Sequence, residues 1–169
     1  MKNIKLFIST LLILALIYGA SLLISTYIIP TIRIYDESMK PNLNKDDVLI
    51  YRKTKNINKG DIVAFYVDDK ILIKRCVATS GDVINIDETG NIYINEKIYE
   101  EKYIAKKEYG KVSIDLPYRV KDNSIFVLSD DRNDPSDSRN TLIGTINKEQ
   151  IIGKVIFRLY PFKNFGSVK

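Results

Sequence analysis

The chain contains no histidine in its 169 residues and only one cysteine. Without imidazole, the Ser/His/Asp and Cys/His nucleophile systems are excluded, together with every histidine-containing metal site. One cysteine excludes thiolate metal clusters and disulfides within the chain, so Cys76 is unpaired and the fold must stand on its core. Neither a metal nor a cofactor is implied. Internal repeats and low-complexity linkers are lacking as well, and residues 30–169 suffice for one domain with a real core.

Charge is missing from residues 6–32, and residues 6–29 are overwhelmingly Leu, Ile, Ala and Tyr. At about 1.5 Å per residue that stretch reaches roughly 36 Å, enough to cross a hydrocarbon layer of about 30 Å. A cleavable secretory signal has a shorter apolar core followed by a small-x-small site. Gly19-Ala20-Ser21 lies mid-span with apolar sequence continuing beyond it, so the segment reads as an uncleaved anchor. Lys2, Lys5 and the amino terminus outweigh Arg33 across the span. The expected organisation is a cytoplasmic tip and transmembrane anchor over residues 1–29, then an extracytoplasmic domain over 30–169. The net charge of +5 comes from lysines interleaved with acids, which fits a solvated surface with weak attraction to anionic lipid and not a nucleic-acid groove.

Beyond the anchor no segment sustains a helical period. Val48-Leu49-Ile50-Tyr51, Ile62-Val63-Ala64-Phe65-Tyr66-Val67 and Ile71-Leu72-Ile73 are β-branched or aromatic runs separated by turn residues. Asp68-Asp69-Lys70 suits a hairpin loop, and Val83-Ile84-Asn85-Ile86 with Ile92-Tyr93-Ile94 make a second hairpin around Thr89-Gly90-Asn91. Ser124-Ile125-Phe126-Val127-Leu128 and Val155-Ile156-Phe157 add two strands. The predicted fold class is mostly β, a partly closed sheet system behind one transmembrane helix.

A serine nucleophile needs a base, and with histidine absent the plausible one is an amine. Ser38 stands just past the anchor in Ser38-Met39-Lys40-Pro41, and Lys74 lies in the run Ile71-Leu72-Ile73-Lys74-Arg75-Cys76-Val77. Period two puts Leu72, Lys74 and Cys76 on one strand face, and an inward-facing Lys74 would have its charged form disfavoured. The alternative is a wet strand on which Lys74 and Arg75 both reach water. Asp36-Glu37-Ser38 could equally cap a turn.

Five blocks in order make the chain resemble the bacterial type I signal peptidases, membrane-anchored Ser/Lys proteases that remove signal peptides from exported preproteins. They are Ser38-Met39-Lys40-Pro41-Asn42-Leu43; Gly60-Asp61-Ile62-Val63; Ile73-Lys74-Arg75 followed by Gly81-Asp82; Asp130-Asp131-Arg132 leading to Asp137-Ser138-Arg139; and Gly153-Lys154 through Tyr160-Pro161-Phe162. The resemblance implies Ser38 as nucleophile, Lys74 as general base and the Ser38 backbone N–H in the oxyanion hole. It implies Asp137 and Arg139 as a buried pair supporting the lysine wall, although an ordinary turn salt bridge fits that sequence as well, and gives Ser138 a structural role. It also implies an apolar surface entering the bilayer, near which Met39, Leu43 and Phe65-Tyr66 are expected; simple core packing is the alternative for each.

The chain departs from that family at several positions. Asp36 stands where glycine or serine serves the oxyanion site, and an ionised carboxylate aimed there would oppose the developing charge. The register from Asp130 to Asp137 puts Pro135 where a serine hydrogen-bonds the lysine, with Ser136 adjacent. Ser129, Asp131 and Asn42 replace glycine, asparagine and threonine. These changes suggest a specialised member whose partners include pilin subunits, either as a peptidase or as a non-catalytic assembly protein on the same scaffold.

Overall fold

The computed structural model describes residues 2–23 and 30–168, and the chain divides into two compact units, residues 1–31 and 32–169. In the first unit, helix α1 runs Lys2–Leu23, and its segment Ile4–Leu22 is long and apolar enough to cross a membrane with none of it buried. Leu11, Leu14, Leu16 and Ile17 are exposed on different sides of the helix, so it has no polar face to turn to water. The end of the expected span, residues 24–29, lies outside the described residues.

The second unit is built of strands. In chain order these are β1 (Thr31–Arg33), β2 (Val48–Arg52), β3 (Ile62–Val67), β4 (Lys70–Thr79), β5 (Val83–Ile86) and β6 (Ile92–Ile94). Then come β7 (Lys97–Tyr99), β8 (Tyr118–Arg119), β9 (Ser124–Leu128), β10 (Ile146–Asn147), β11 (Ile151–Tyr160) and β12 (Gly166–Ser167). The larger sheet has the order β1-β2-β11-β3-β4-β9-β10, with β12 added beside β11; the smaller has the order β7-β6-β5-β8.

Three apolar clusters meet along β3 and β4. Ile62, Ala64 and Ile73 pack with Ile34, Met39, Leu43, Leu49 and Val155 on one side. Val63, Phe65 and Cys76 pack with Ile57, Ile125, Val127 and Ile151 on the other. Val77 and Ala78 join Phe126, Leu128 and the small sheet's Ile84, Ile86, Ile92 and Ile94. Strand β4 is therefore covered on both faces, and residues 73–78 are all buried. This rules out the wet-strand alternative for Lys74 and Arg75.

The expected strands are present, with three differences. The β3–β4 connection is tighter than anticipated, because Val67 already pairs with Lys70 and only Asp68-Asp69 turns the chain. Strand β11 extends well beyond Val155-Ile156-Phe157. Its Gly153 lies against β2 so closely that a Cβ there would meet the Arg52 carbonyl oxygen at 2.3 Å, which explains a glycine inside a strand. Strands β7, β8, β10 and β12 are only two or three residues long and carry no apolar run that would mark them.

Candidate active site

Ser38 sits in a tight turn after β1 and is 1% exposed. Asp36 shapes that turn: its Oδ1 accepts from the Ser38 backbone N–H at 3.0 Å and from the Ser38 Oγ–H at 2.6 Å. The following residues hold the loop to the body of the fold. Met39 and Leu43 are buried in the cluster with Leu49, Ile62 and Ile73, which corrects their expected place near an apolar surface; core packing accounts for both. Likewise Phe65 is fully buried while its neighbour Tyr66 is half exposed, as strand alternation requires. The Ser38 carbonyl accepts from the Asp131 N–H at 2.9 Å, tying the turn to the loop between β9 and β10.

Lys74 is centred in β4 opposite Val63, with no exposed surface. Its Nζ lies 3.5 Å from Ser136 Oγ and 3.6 Å from Asp134 Oδ1. Burial pushes the Lys74 amine below its ordinary 10.5, and the charges of Asp134, Asp36 and Asp137 pull the other way without overcoming it. Asp36 bears on both residues in different ways, accepting from Ser38 while its charge acts on Lys74, whose own nearest polar partners are Ser136 and Asp134.

Ser136 approaches the lysine where Pro135, which has no hydroxyl, could not, one position on from the register that the resemblance implies. Asp134 was not singled out from sequence. The clue is local: Asp134-Pro135-Ser136 repeats the Asp-x-Ser pattern of Asp36-Glu37-Ser38, and the Asp134 carboxylate accepts from both the Ser136 N–H, at 2.8 Å, and the Ser136 hydroxyl. Two turns of the same kind thus each hold a carboxylate whose charge acts on Lys74. Burial raises the Asp134 pKa, but the Ser136 hydroxyl and the Lys74 charge outweigh it and leave the carboxyl below its usual value.

Behind this pair stands a frame of buried ion pairs. Arg139 donates to Asp137 through Nε at 2.9 Å and Nη2 at 2.7 Å, both side chains being almost completely buried. The same guanidinium also donates to the carbonyls of Tyr109, Arg132 and Asp134, so it fixes the backbone that presents Asp134 and Ser136. Ser138 Oγ accepts from the Val127 N–H at 2.9 Å and Asp137 Oδ2 from Ser129 N–H at 3.0 Å, pinning the loop to β9. Arg75, on the opposite strand face from Lys74, grips Asp130 at 2.8 and 2.6 Å and lies over the Tyr103 ring at 4.0 Å. Asn42 donates to Asp130 at 2.8 Å, so this second pair reaches back to the Ser38 loop.

Two grooves open next to these loops. One, about 430 Å³, is lined by Val67, Asp68, Asp69, Leu72, Ser136 and Ile143 among others. The other, about 270 Å³, is lined by Lys40, Pro41, Asp131 and Arg132 among others. Among the described residues no group of His, Cys, Asp or Glu is arranged to hold a metal ion.

The geometry makes a checkable statement about Asp134. Removing its charge in Asp134→Asn takes away the strongest influence that raises the Lys74 pKa, so the amine becomes neutral at lower pH. For any activity that requires neutral Lys74, the rising limb of the pH profile of kcat/KM is expected to move toward acid. An unmoved limb would show that Asp134 does not govern the lysine.

Comparison with known proteins gives a consistent result. Residues 4–160 match the family described as signal peptidase, peptidase S26. The chain is 35% identical over 154 residues to signal peptidase I S of Bacillus subtilis strain 168, covering 84% of this chain and 83% of that one. It is 28% identical over 176 residues to a protein named inactive signal peptidase IA from Staphylococcus aureus strain COL, covering 97% and 95%. The crystal structure of a signal peptidase I from Enterococcus faecalis V583 shares the fold with a TM-score of 0.51 at 22% identity, over 59% of this chain and 96% of that one.

Proposed function

Because this chain belongs to the signal peptidase family, peptidase S26, we propose that it is an active, membrane-anchored Ser/Lys endopeptidase that removes signal peptides from exported preproteins. The observation that carries this reading is a fully buried lysine whose pKa burial lowers, together with a buried serine at the turn where the family's nucleophile stands.

In this mechanism Ser38 Oγ attacks the scissile carbonyl carbon and its proton passes to Lys74 Nζ. The tetrahedral intermediate then expels the new amino terminus, which takes the proton from Lys74. Water attacks the resulting Ser38 ester, Lys74 accepts the water proton, and Ser38 is restored as the signal peptide leaves with a free carboxylate. Ser136 orients the lysine, and the Asp137–Arg139 pair with Ser138 holds the wall behind it. An extended substrate segment would run along the groove beside Ser136 or the one beside Lys40 and Pro41. Helix α1 would sit in the bilayer with the amino terminus in the cytoplasm and the β domain outside, so that the lipid bilayer and the preprotein's signal region are the partners.

Two observations favour a second reading, a non-catalytic or weakly catalytic assembly protein. Asp36 occupies the turn at the nucleophile, and relatives at 28% identity carry the name inactive. Retention of both Ser38 and a buried Lys74 weighs against it, since a buried amine is costly to keep even beside Asp134. None of the relatives named above points to pilins, and a pilin substrate rests only on the sequence departures. Incubation of the purified full chain in detergent with an exported precursor tests the proposal. A product beginning at the signal-peptide junction supports it, and an intact precursor favours the second reading.

A further inference from the structure

We propose, building on the assignment of Ser38 as nucleophile, that Asp36 is a built-in occupant of the oxyanion site, whose carboxylate holds in the resting protein the donor that a substrate's carbonyl oxygen must take. When a serine oxygen adds to a carbonyl, the carbonyl oxygen becomes an anion that needs a preorganised donor at about 2.7–3.1 Å. The backbone N–H of the nucleophile itself commonly serves there. In this chain that N–H already donates to Asp36 Oδ1 at 3.0 Å, and a charged acceptor holds a donor more strongly than a neutral carbonyl does. The same oxygen receives the Ser38 hydroxyl proton at 2.6 Å, so the proton that must reach Lys74 starts out directed elsewhere.

The arrangement can open. Ser38 is buried, whereas Asp36 is partly exposed, so the carboxylate can rotate into water without moving the nucleophile. The matching turn at Asp134-Pro135-Ser136, where the same two donors meet one carboxylate oxygen, shows that an Asp-x-Ser segment closes in this way by local chemistry alone. Asp36 therefore lowers the rate twice over: it must be displaced before acylation, and its charge remains close to the developing oxyanion.

The full chain in detergent, with a peptide spanning a signal-peptide junction, is compared with Asp36→Ser, Asp36→Asn and Ser38→Ala. Asp36→Ser is expected to raise kcat by about 10-fold or more, with KM moving less, because the oxyanion contact matters most in the transition state. A second readout uses a peptide aldehyde ending at the same junction: Ser38 Oγ adds to its carbonyl carbon and the hydroxyl proton ends on the former carbonyl oxygen, which sits in the proposed site. Its inhibition constant is expected to fall by about 10-fold in Asp36→Ser and by less in Asp36→Asn, which keeps the turn's acceptor but not its charge. A residue that only braces the turn would give the opposite, with slower cleavage and weaker aldehyde binding. Unchanged or lower kcat and unchanged or weaker inhibition in both Asp36 variants, with Ser38→Ala inert, would overturn the proposal while leaving the nucleophile in place. Cleavage by Ser38→Ala at the parental rate would overturn the nucleophile and this proposal together.

Discussion

Ser38→Ala and Lys74→Met are each expected to lower preprotein cleavage by at least about 10⁴-fold, and the double variant by no more than either alone. In the proposed mechanism the two residues act as one unit. A hydroxyl without a base is a poor nucleophile, and a base without a hydroxyl has nothing to deprotonate, so the losses do not add. Their effects on stability should differ from their shared effect on rate. Lys74 is held in the core with its charged form disfavoured, so the unfolded chain binds more protons at this residue than the folded one does. Wild-type stability consequently rises with pH between the lowered folded-state value and the ordinary 10.5, and the cost of burial is present in full below that window. Lys74→Met fills the site with a side chain of similar length and no charge. It is expected to be no less stable than wild type at neutral pH, and any gain should vanish as pH approaches 10.5. Cleavage kinetics together with melting curves at several pH values check this. A Lys74→Met protein that cleaves normally, or that loses its fold, would contradict the account.

The second large effect concerns the frame. Arg139→Ala is expected to destabilise the β domain by about 3–5 kcal/mol, because it leaves the Asp137 carboxylate buried without its cation. Three backbone carbonyls, of Tyr109, Arg132 and Asp134, lose a donor at the same time. For a domain of this size that corresponds to a melting temperature about 10 °C lower, measurable by circular dichroism or calorimetry. Replacing both partners, Asp137→Leu with Arg139→Met, should cost less than Arg139→Ala alone, since no buried charge is then left over. The exposed pair Lys106–Glu108 provides the contrast, and Lys106→Ala should leave the melting temperature unchanged. Equal losses at the two places would mean that the Asp137–Arg139 pair is not part of the frame.

How far this could be read from sequence differs from element to element. The long strands were legible because their apolar runs are long enough to show a period: Ile62–Val67, Val83–Ile86 and Ser124–Leu128 appear where the pattern put them. The short strands β7, β8, β10 and β12 are set by pairing partners distant in sequence, which no local pattern records. Ser38 and Lys74 stood out because the lack of histidine leaves few alternatives. The burial of Arg75 did not, because period two assigns alternate residues to opposite faces but cannot tell that both faces of β4 are covered. Asp36 was legible as a departure, although its direction, onto the Ser38 donors, is a matter of turn geometry. Asp134 was hidden, and Ser136 was visible only as the neighbour of Pro135: its direction toward the lysine is set by the folded loop.

Catalysis by Ser38 requires that Lys74 lose its proton more readily than an ordinary lysine. A nuclear magnetic resonance titration of the Lys74 ε-CH₂ and Nζ signals in the full chain, assigned by comparison with Lys74→Met, measures this directly. A midpoint clearly below 10.5 is expected, moving lower still in Asp134→Asn. A midpoint at or above 10.5 would leave Ser38 without a base.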